Sequence, residues 1–341
     1  MTIRDALSRA AAPIRRVRRA LPPRRLLLLG LLWALSASCA RPLPLGLEPL
    51  GPSTSRIIEE EMALPASVRG SSVEGYLLRP EVPGGTQVPC AVLLHGKGGY
   101  WRAYTRYGRA LAERGIAALV LNYYSAHYVD LDGWRTPFAE RKESFEAQNE
   151  DIARATAHFA RSPVCAGGKL GLVGFSLGAD KAIRAAASLP EVAAVVAYYG
   201  PYDYISLIQQ RVNPLLLIFA SEDLLRWKKY LEDASPIRLA PKTPAPVFLL
   251  HGTDDSVIPV QQSLRMTQAL RRRGNKVTVK LYEGVGHNFV LRRGPAEVRD
   301  DSVRLAIGFL REHLPAEGKA PAAQARKENG APSSPLPGAG G

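Results

Sequence analysis

The chain has 341 residues, of which 46% are hydrophobic, so a sizeable buried core is within reach, and it carries a net charge of +14. Residues 1–38 hold eight Arg against a single Asp, half of the whole excess. Charge concentrated beside an apolar stretch points to targeting and away from a nucleic-acid-binding surface.

That apolar stretch, LLLLGLLWALSASCA at 26–40, follows Arg24 and Arg25. It is short for a spanning helix and about right for a secretory h-region. Ala37 and Ser38 immediately before Cys39 resemble a bacterial lipobox, whose cysteine is lipidated and becomes the new N-terminus, although Ser36 stands where Leu is usual. The expectation is an exported protein of the bacterial cell envelope, anchored in a membrane through Cys39. A plain signal peptide and an uncleaved anchor are the alternatives, and RRLLL also permits a twin-arginine route. Residues 1–39 are thus read as leader, the Pro- and Gly-rich 40–56 as tether, and 316–341, poor in anything to bury, as a disordered tail.

Between tether and tail, apolar runs alternate with helical patterns. Residues 72–78 alternate and form a hairpin arm with the segment before Gly70. Strands are predicted at 88–94, 116–121, 169–174, 192–198, 247–250 and 277–282, and helices at 102–114, 143–161, 179–188 and 297–314. Solid apolar strands separated by helices imply a doubly wound, mostly parallel α/β sheet covered on both faces. Residues 201–245 interrupt the alternation and read as a helical, lid-like insert, with 214–220 an alternative strand. Cys90 and Cys165 open two strands that this fold makes neighbours; the simpler reading is two separate buried thiols, while an exported location favours a disulfide.

The segment GLVGFSLGAD places Ser176 between Gly174 and Gly178, after a strand and before a helix. A strand-turn-helix of this kind needs glycine where side chains would strike backbone, and it lifts the serine to the carboxyl end of the sheet near a helix N-terminus. A serine hydroxyl needs a base. Of six histidines, His158 and His313 sit in helices and His95 and His251 open HG pairs at strand ends, which suits structural roles. His287, in YEGVGHNF after the last strand, shares the edge of the sheet with Ser176 and is the expected base. Its orienting carboxylate is read as Asp255 in HGTDDSVIP, with Asp254 and Asp223 as alternatives. The attacked carbonyl's oxygen requires N–H donors, assigned to Leu177 and to Lys97, then Gly98, of the HGKGG loop.

At these motifs, LLHGKGG, GLVGFSLGAD, LLHGTDDSVIP and YEGVGHNF, the chain resembles the dienelactone hydrolase and prolyl-oligopeptidase-like branch of the α/β-hydrolase superfamily over roughly residues 70–314. The resemblance implies a serine hydrolase with Ser176, Asp255 and His287 as triad and neither metal nor cofactor. Dienelactone hydrolases carry a nucleophilic cysteine, so Ser176 turns the expectation towards carboxylic esters as small-molecule substrates. Too few residues precede 70 to build the oligopeptidases' propeller, which disfavours peptidase action. An acyltransferase or peptidase with the same triad, or a non-catalytic binding lipoprotein, are the competing readings. Tyr123, Tyr124 and Trp134 are candidate walls of the acyl pocket, with core packing the alternative. Oligomeric state is left open.

Overall fold

The computed structural model describes residues 56–68, 71–99, 102–127, 137–211, 222–315 and 318–319. Cys39, the leader, nearly all of the tether, Trp134 and the alternative strand at 214–220 lie outside them.

In chain order the described elements are β1 (Ile57–Pro65), β2 (Ser72–Pro80), β3 (Thr86–Leu94), α1 (Arg102–Ala112), β4 (Ala117–Asn122), α2 (Phe138–Ala160), β5 (Cys165–Phe175), α3 (Leu177–Ala186), β6 (Val192–Tyr198), α4 (Tyr204–Arg211), α5 (Glu222–Asp233), β7 (Val247–Gly252), α6 (Gln261–Arg271), β8 (Val277–Tyr282), α7 (Ala296–His313) and β9 (Gly318–Lys319). The main sheet runs β1-β2-β4-β3-β5-β6-β7-β8. β1 and β2 form an antiparallel hairpin that joins β4 antiparallel, and every pairing from β4 to β8 is parallel. This is the α/β-hydrolase fold.

Successive residues of the central strands feed opposite layers, because side chains alternate across a strand. Val92, Leu172, Val195 and Leu249 pack under α2, α3 and α6 with Ile152, Phe159, Ile183, Met266 and Leu270. Leu93, Val173, Val196 and Leu250 pack under α1 and α7 with Tyr107, Leu111, Val303 and Ile307. Strands buried on both faces cannot alternate apolar with polar residues, which explains the unbroken apolar runs.

Several sequence-derived bounds shift. The long helix starts at Phe138, five residues before expected, and the strand before Ser176 starts at Cys165. The helix Gln261–Arg271 was not anticipated. The insert is helical over α4 and α5 and closes with a 3-10 turn at Pro236–Lys242. Within the expected tail, Gly318–Lys319 pair antiparallel with Thr86 and Gln87 of β3. Among the described residues no helix is long and apolar enough to cross a membrane.

The reading of Cys90 and Cys165 as separate thiols is corrected: they form a disulfide, with Cα atoms 5.4 Å apart. A register shift between Val88 and Cys90 sets Val88 opposite Cys165 and Cys90 opposite Leu170, so the two cysteines meet diagonally at the amino ends of β3 and β5. The bridge spans 75 residues of sequence, and chain-entropy reasoning gives such a link about 4 kcal/mol of stability. Replacing both cysteines by Ala is expected to lower the unfolding free energy by roughly that amount, read by urea titration with and without reductant. Alkylation without reductant should leave both thiols unlabelled by mass.

Candidate active site

The carboxyl ends of β3, β5, β7 and β8 each supply one part of the site. After β5 the chain reverses into α3 within a single residue. A Cβ at Gly174 would lie 2.3 Å from the carbonyl oxygen of Gly178, and a Cβ at Gly178 would lie 2.0 Å from that of Leu94. No side chain fits at either place. Ser176 takes φ 54°, a left-handed backbone conformation that costs a non-glycine residue about 1 kcal/mol or more. It is anchored by its N–H donating to Tyr198 O (2.9 Å) and by its own carbonyl accepting from Ala179 N (2.9 Å).

The loops after β7 and β8 are laced together. Thr253 N donates to Tyr282 O (2.9 Å), Asp254 N to Val285 O (3.0 Å) and Gly284 N to Thr253 Oγ1 (2.9 Å). This brings His287 between the other two groups: Nδ1 is 2.6 Å from Asp255 Oδ2, and Nε2 is 3.2 Å from Ser176 Oγ. An ionised carboxylate only accepts, so Nδ1 carries the hydrogen, and the Nε2 lone pair faces the serine hydroxyl. The geometry therefore fixes a one-way hydrogen-bond relay from Ser176 to His287 to Asp255.

Asp255 is buried, which alone would favour its neutral form. Hydrogen bonds from His251 and His287 and from the backbone N–H of Ile258 outweigh that and hold its carboxyl well below the usual carboxylate range. Its Oδ1 accepts from Val257 N (2.8 Å) and Ile258 N (2.7 Å), leaving Oδ2 for the imidazole. Asp254 instead accepts from Thr253 Oγ1 (3.2 Å), and Asp223 falls in the first turn of α5.

The glycine-rich loop after β3 abuts the serine. A Cβ at Gly96 would stand 3.3 Å from Ser176 Cβ, and Gly99 N closes a turn onto Gly96 O (3.1 Å). Lys97 and Gly98 lie exposed on that turn. Leu177 is the first residue of α3, so its N–H has no acceptor within the helix.

Of the two readings of Tyr123, core packing holds: it is fully buried, stacked on His95 at 3.8 Å, and its hydroxyl donates to His95 O (2.6 Å). Tyr124 is half-buried, its ring edge 3.6 Å from a Cβ at Gly99, beside the glycine loop. Two contacts went unforeseen. The Tyr199 ring lies 4.6 Å from that of His287, and His251 Nε2 lies 3.3 Å from Asp255 Oδ2. Only the HG pair at the strand end hinted at the latter. Among the described residues no group of three or more His, Cys, Asp or Glu is placed to hold a metal ion.

A strand-turn-helix serine at the carboxyl edge of this sheet defines an α/β-hydrolase, and comparison with known proteins sharpens the class. The dienelactone hydrolase family model matches residues 73–314, and the chain belongs to that family. It is 25% identical over 246 residues to Esterase YjfP of Escherichia coli, covering 67% of this chain and 90% of that protein. It is 23% identical over 290 residues to the Uncharacterized peptidase YuxL of Bacillus subtilis, covering 80% of this chain. The chain spans only 43% of the length of YuxL. A Klebsiella pneumoniae structure provisionally assigned as a dienelactone hydrolase superposes with a TM-score of 0.58 at 22% identity, covering 76% of this chain and 100% of that one.

His95, at the head of the glycine loop, is fully buried, and burial pushes its imidazole down to about 4. The unfolded ring titrates near 6.5, so between about pH 6.5 and 4 the unfolded state binds a proton that the folded state refuses. Stability therefore rises with pH across this window and is lost on acidification, by at most about 3 kcal/mol. His95→Phe should remove that part of the slope, as measured by urea unfolding at successive pH values.

Proposed function

We propose that this protein is a serine hydrolase that cleaves carboxylic esters through an acyl-enzyme on Ser176. The observation that carries the reading is the hydrogen-bonded relay Ser176–His287–Asp255 at the carboxyl edge of the sheet. As an acyl carbonyl settles over Ser176, His287 Nε2 takes the hydroxyl proton while Oγ bonds to the carbonyl carbon. The imidazolium that forms is stabilised by the Asp255 carboxylate through Nδ1–H. Negative charge on the carbonyl oxygen is met by the backbone N–H of Leu177 and of Lys97, with Gly98 next on the same turn, reinforced by the N-terminus of α3. Collapse of this intermediate expels the alcohol, which takes its proton from His287. Water, deprotonated by the same nitrogen, then releases the acid and restores Ser176.

Esters are preferred to peptides because YjfP, which the chain covers nearly whole, is named an esterase, whereas YuxL is covered over less than half of its length. A fluorophosphonate probe should label wild type and not Ser176→Ala. Hydrolysis of short p-nitrophenyl esters should fall at least about 10³-fold in Ser176→Ala and His287→Ala, and fall in wild type on acidification as His287 loses its free lone pair. Unlabelled wild-type protein, or hydrolysis that persists without Ser176, refutes the reading.

We further propose that the protein works at the bacterial cell envelope, anchored through a lipid on Cys39. The basic leader and its apolar run support this, and so does the Cys90–Cys165 disulfide, since such bonds persist chiefly in oxidising compartments. Alkyne-palmitate fed to an expressing bacterium should label the protein and partition it with membranes, and Cys39→Ala should abolish both. Equal labelling of the two proteins contradicts the anchor.

A further inference from the structure

Directly behind Asp255 lies a second imidazole that the mechanism above leaves unused. His251, the penultimate residue of β7, is fully buried. Its Nε2 is 2.8 Å from Ile258 O and 3.3 Å from Asp255 Oδ2, and its Nδ1 is 2.7 Å from Ser263 Oγ. Ser263, in the first turn of α6, is fully buried as well. These contacts fix the tautomer. Carbonyl and carboxylate oxygens only accept, so Nε2 carries the hydrogen of the neutral ring, and Nδ1 accepts the Ser263 hydroxyl.

We propose that His251, oriented by Ser263, is a positioning residue for acyl transfer: its Nε2–H shares the Asp255 carboxylate with His287 and sets how much negative charge that carboxylate presents to the catalytic imidazole. The proposal rests on the serine-hydrolase reading. Oδ1 is held by the N–H groups of Val257 and Ile258 and Oδ2 by His287, which fixes the carboxylate, and the His251 Nε2–H that donates to Ile258 O leans on Oδ2 from 3.3 Å. The groups facing His287 are Asp255, Ser176 and the ring of Tyr199. Those facing His251 are Asp255, the Ile258 carbonyl and Ser263, with Tyr202 buried against the same serine. Burial raises both tyrosines, which stay neutral through the working range, and Asp254 is engaged by Thr253.

Without the His251 N–H, more charge remains on Oδ2 opposite His287 Nδ1–H. The imidazolium of His287 is then favoured, so the ring takes up its proton at higher pH. The full-length protein labelled with ¹³C-histidine reports this by NMR, with the His287 signal assigned from His287→Asn, beside the pH profile of kcat/KM for a p-nitrophenyl ester. Ser263→Ala, a small change, and His251→Phe should each move the His287 titration and the acid limb upward by roughly half to one pH unit. His251→Gln, whose amide N–H reaches the same carboxylate, should stay nearer wild type. A His287 titration unmoved in Ser263→Ala and in His251→Phe overturns the proposal; should the latter fail to fold, Ser263→Ala decides. The NMR titration needs no turnover, so a wild type that hydrolyses no ester sinks the serine-hydrolase reading while the coupling of the two imidazoles is still decided.

Discussion

The backbone at the start of α3 is pressed against the carbonyl end of β3, closer than any side chain at 178 would allow. Because of that contact, β5 turns into a helix within one residue, and Ser176 is forced into a left-handed conformation with its hydroxyl above the edge of the sheet. The strain is offset by backbone hydrogen bonds to β6 and into α3 and by the apolar layer that α3 buries on the sheet. A looser turn would let Ser176 relax downward. The imidazole, held by an independent pair of loops, would then face nothing.

The second group of the site is held by charge. A buried carboxylate is costly unless hydrogen-bonded, and Asp255 receives four donors from its own loop, from β7 and from the loop after β8. The same burial disfavours the charged form of His95, and the hydrogen bond to Gly96 does not offset it, so the ring stays neutral. One dry sheet edge thus keeps an acid ionised and a base uncharged, because the N–H donors around Asp255 stabilise its charged form, whereas the carbonyl that His95 meets does not make up for its burial.

Much of this was legible in the chain because it is local. Gly174, Ser176 and Gly178 form one short motif, and Asp255 and His287 each follow an apolar strand, so parallel topology alone carries all three to one edge. What escaped depends on contacts between elements. The helix Gln261–Arg271 buries Gln262, Ser263 and Thr267 beside Met266 and Leu270, so its inward face does not read as an apolar stripe. The role of His251 follows from a distance and not from a residue pattern. The disulfide depends on the register shift between Val88 and Cys90; the sequence makes β3 and β5 neighbours but does not say which residues stand opposite.

The covalent link between β3 and β5 also changes what cutting the chain does. The glycine-rich loop and Ser176 follow the opposite, carboxyl ends of the bridged strands, and α1, β4 and α2 lie between the two cysteines in sequence. A protease that severed the peptide anywhere from residue 91 to 164 would release no piece. The two halves would stay tethered at the foot of the sheet, free to re-dock at high local concentration, until a reductant parted them.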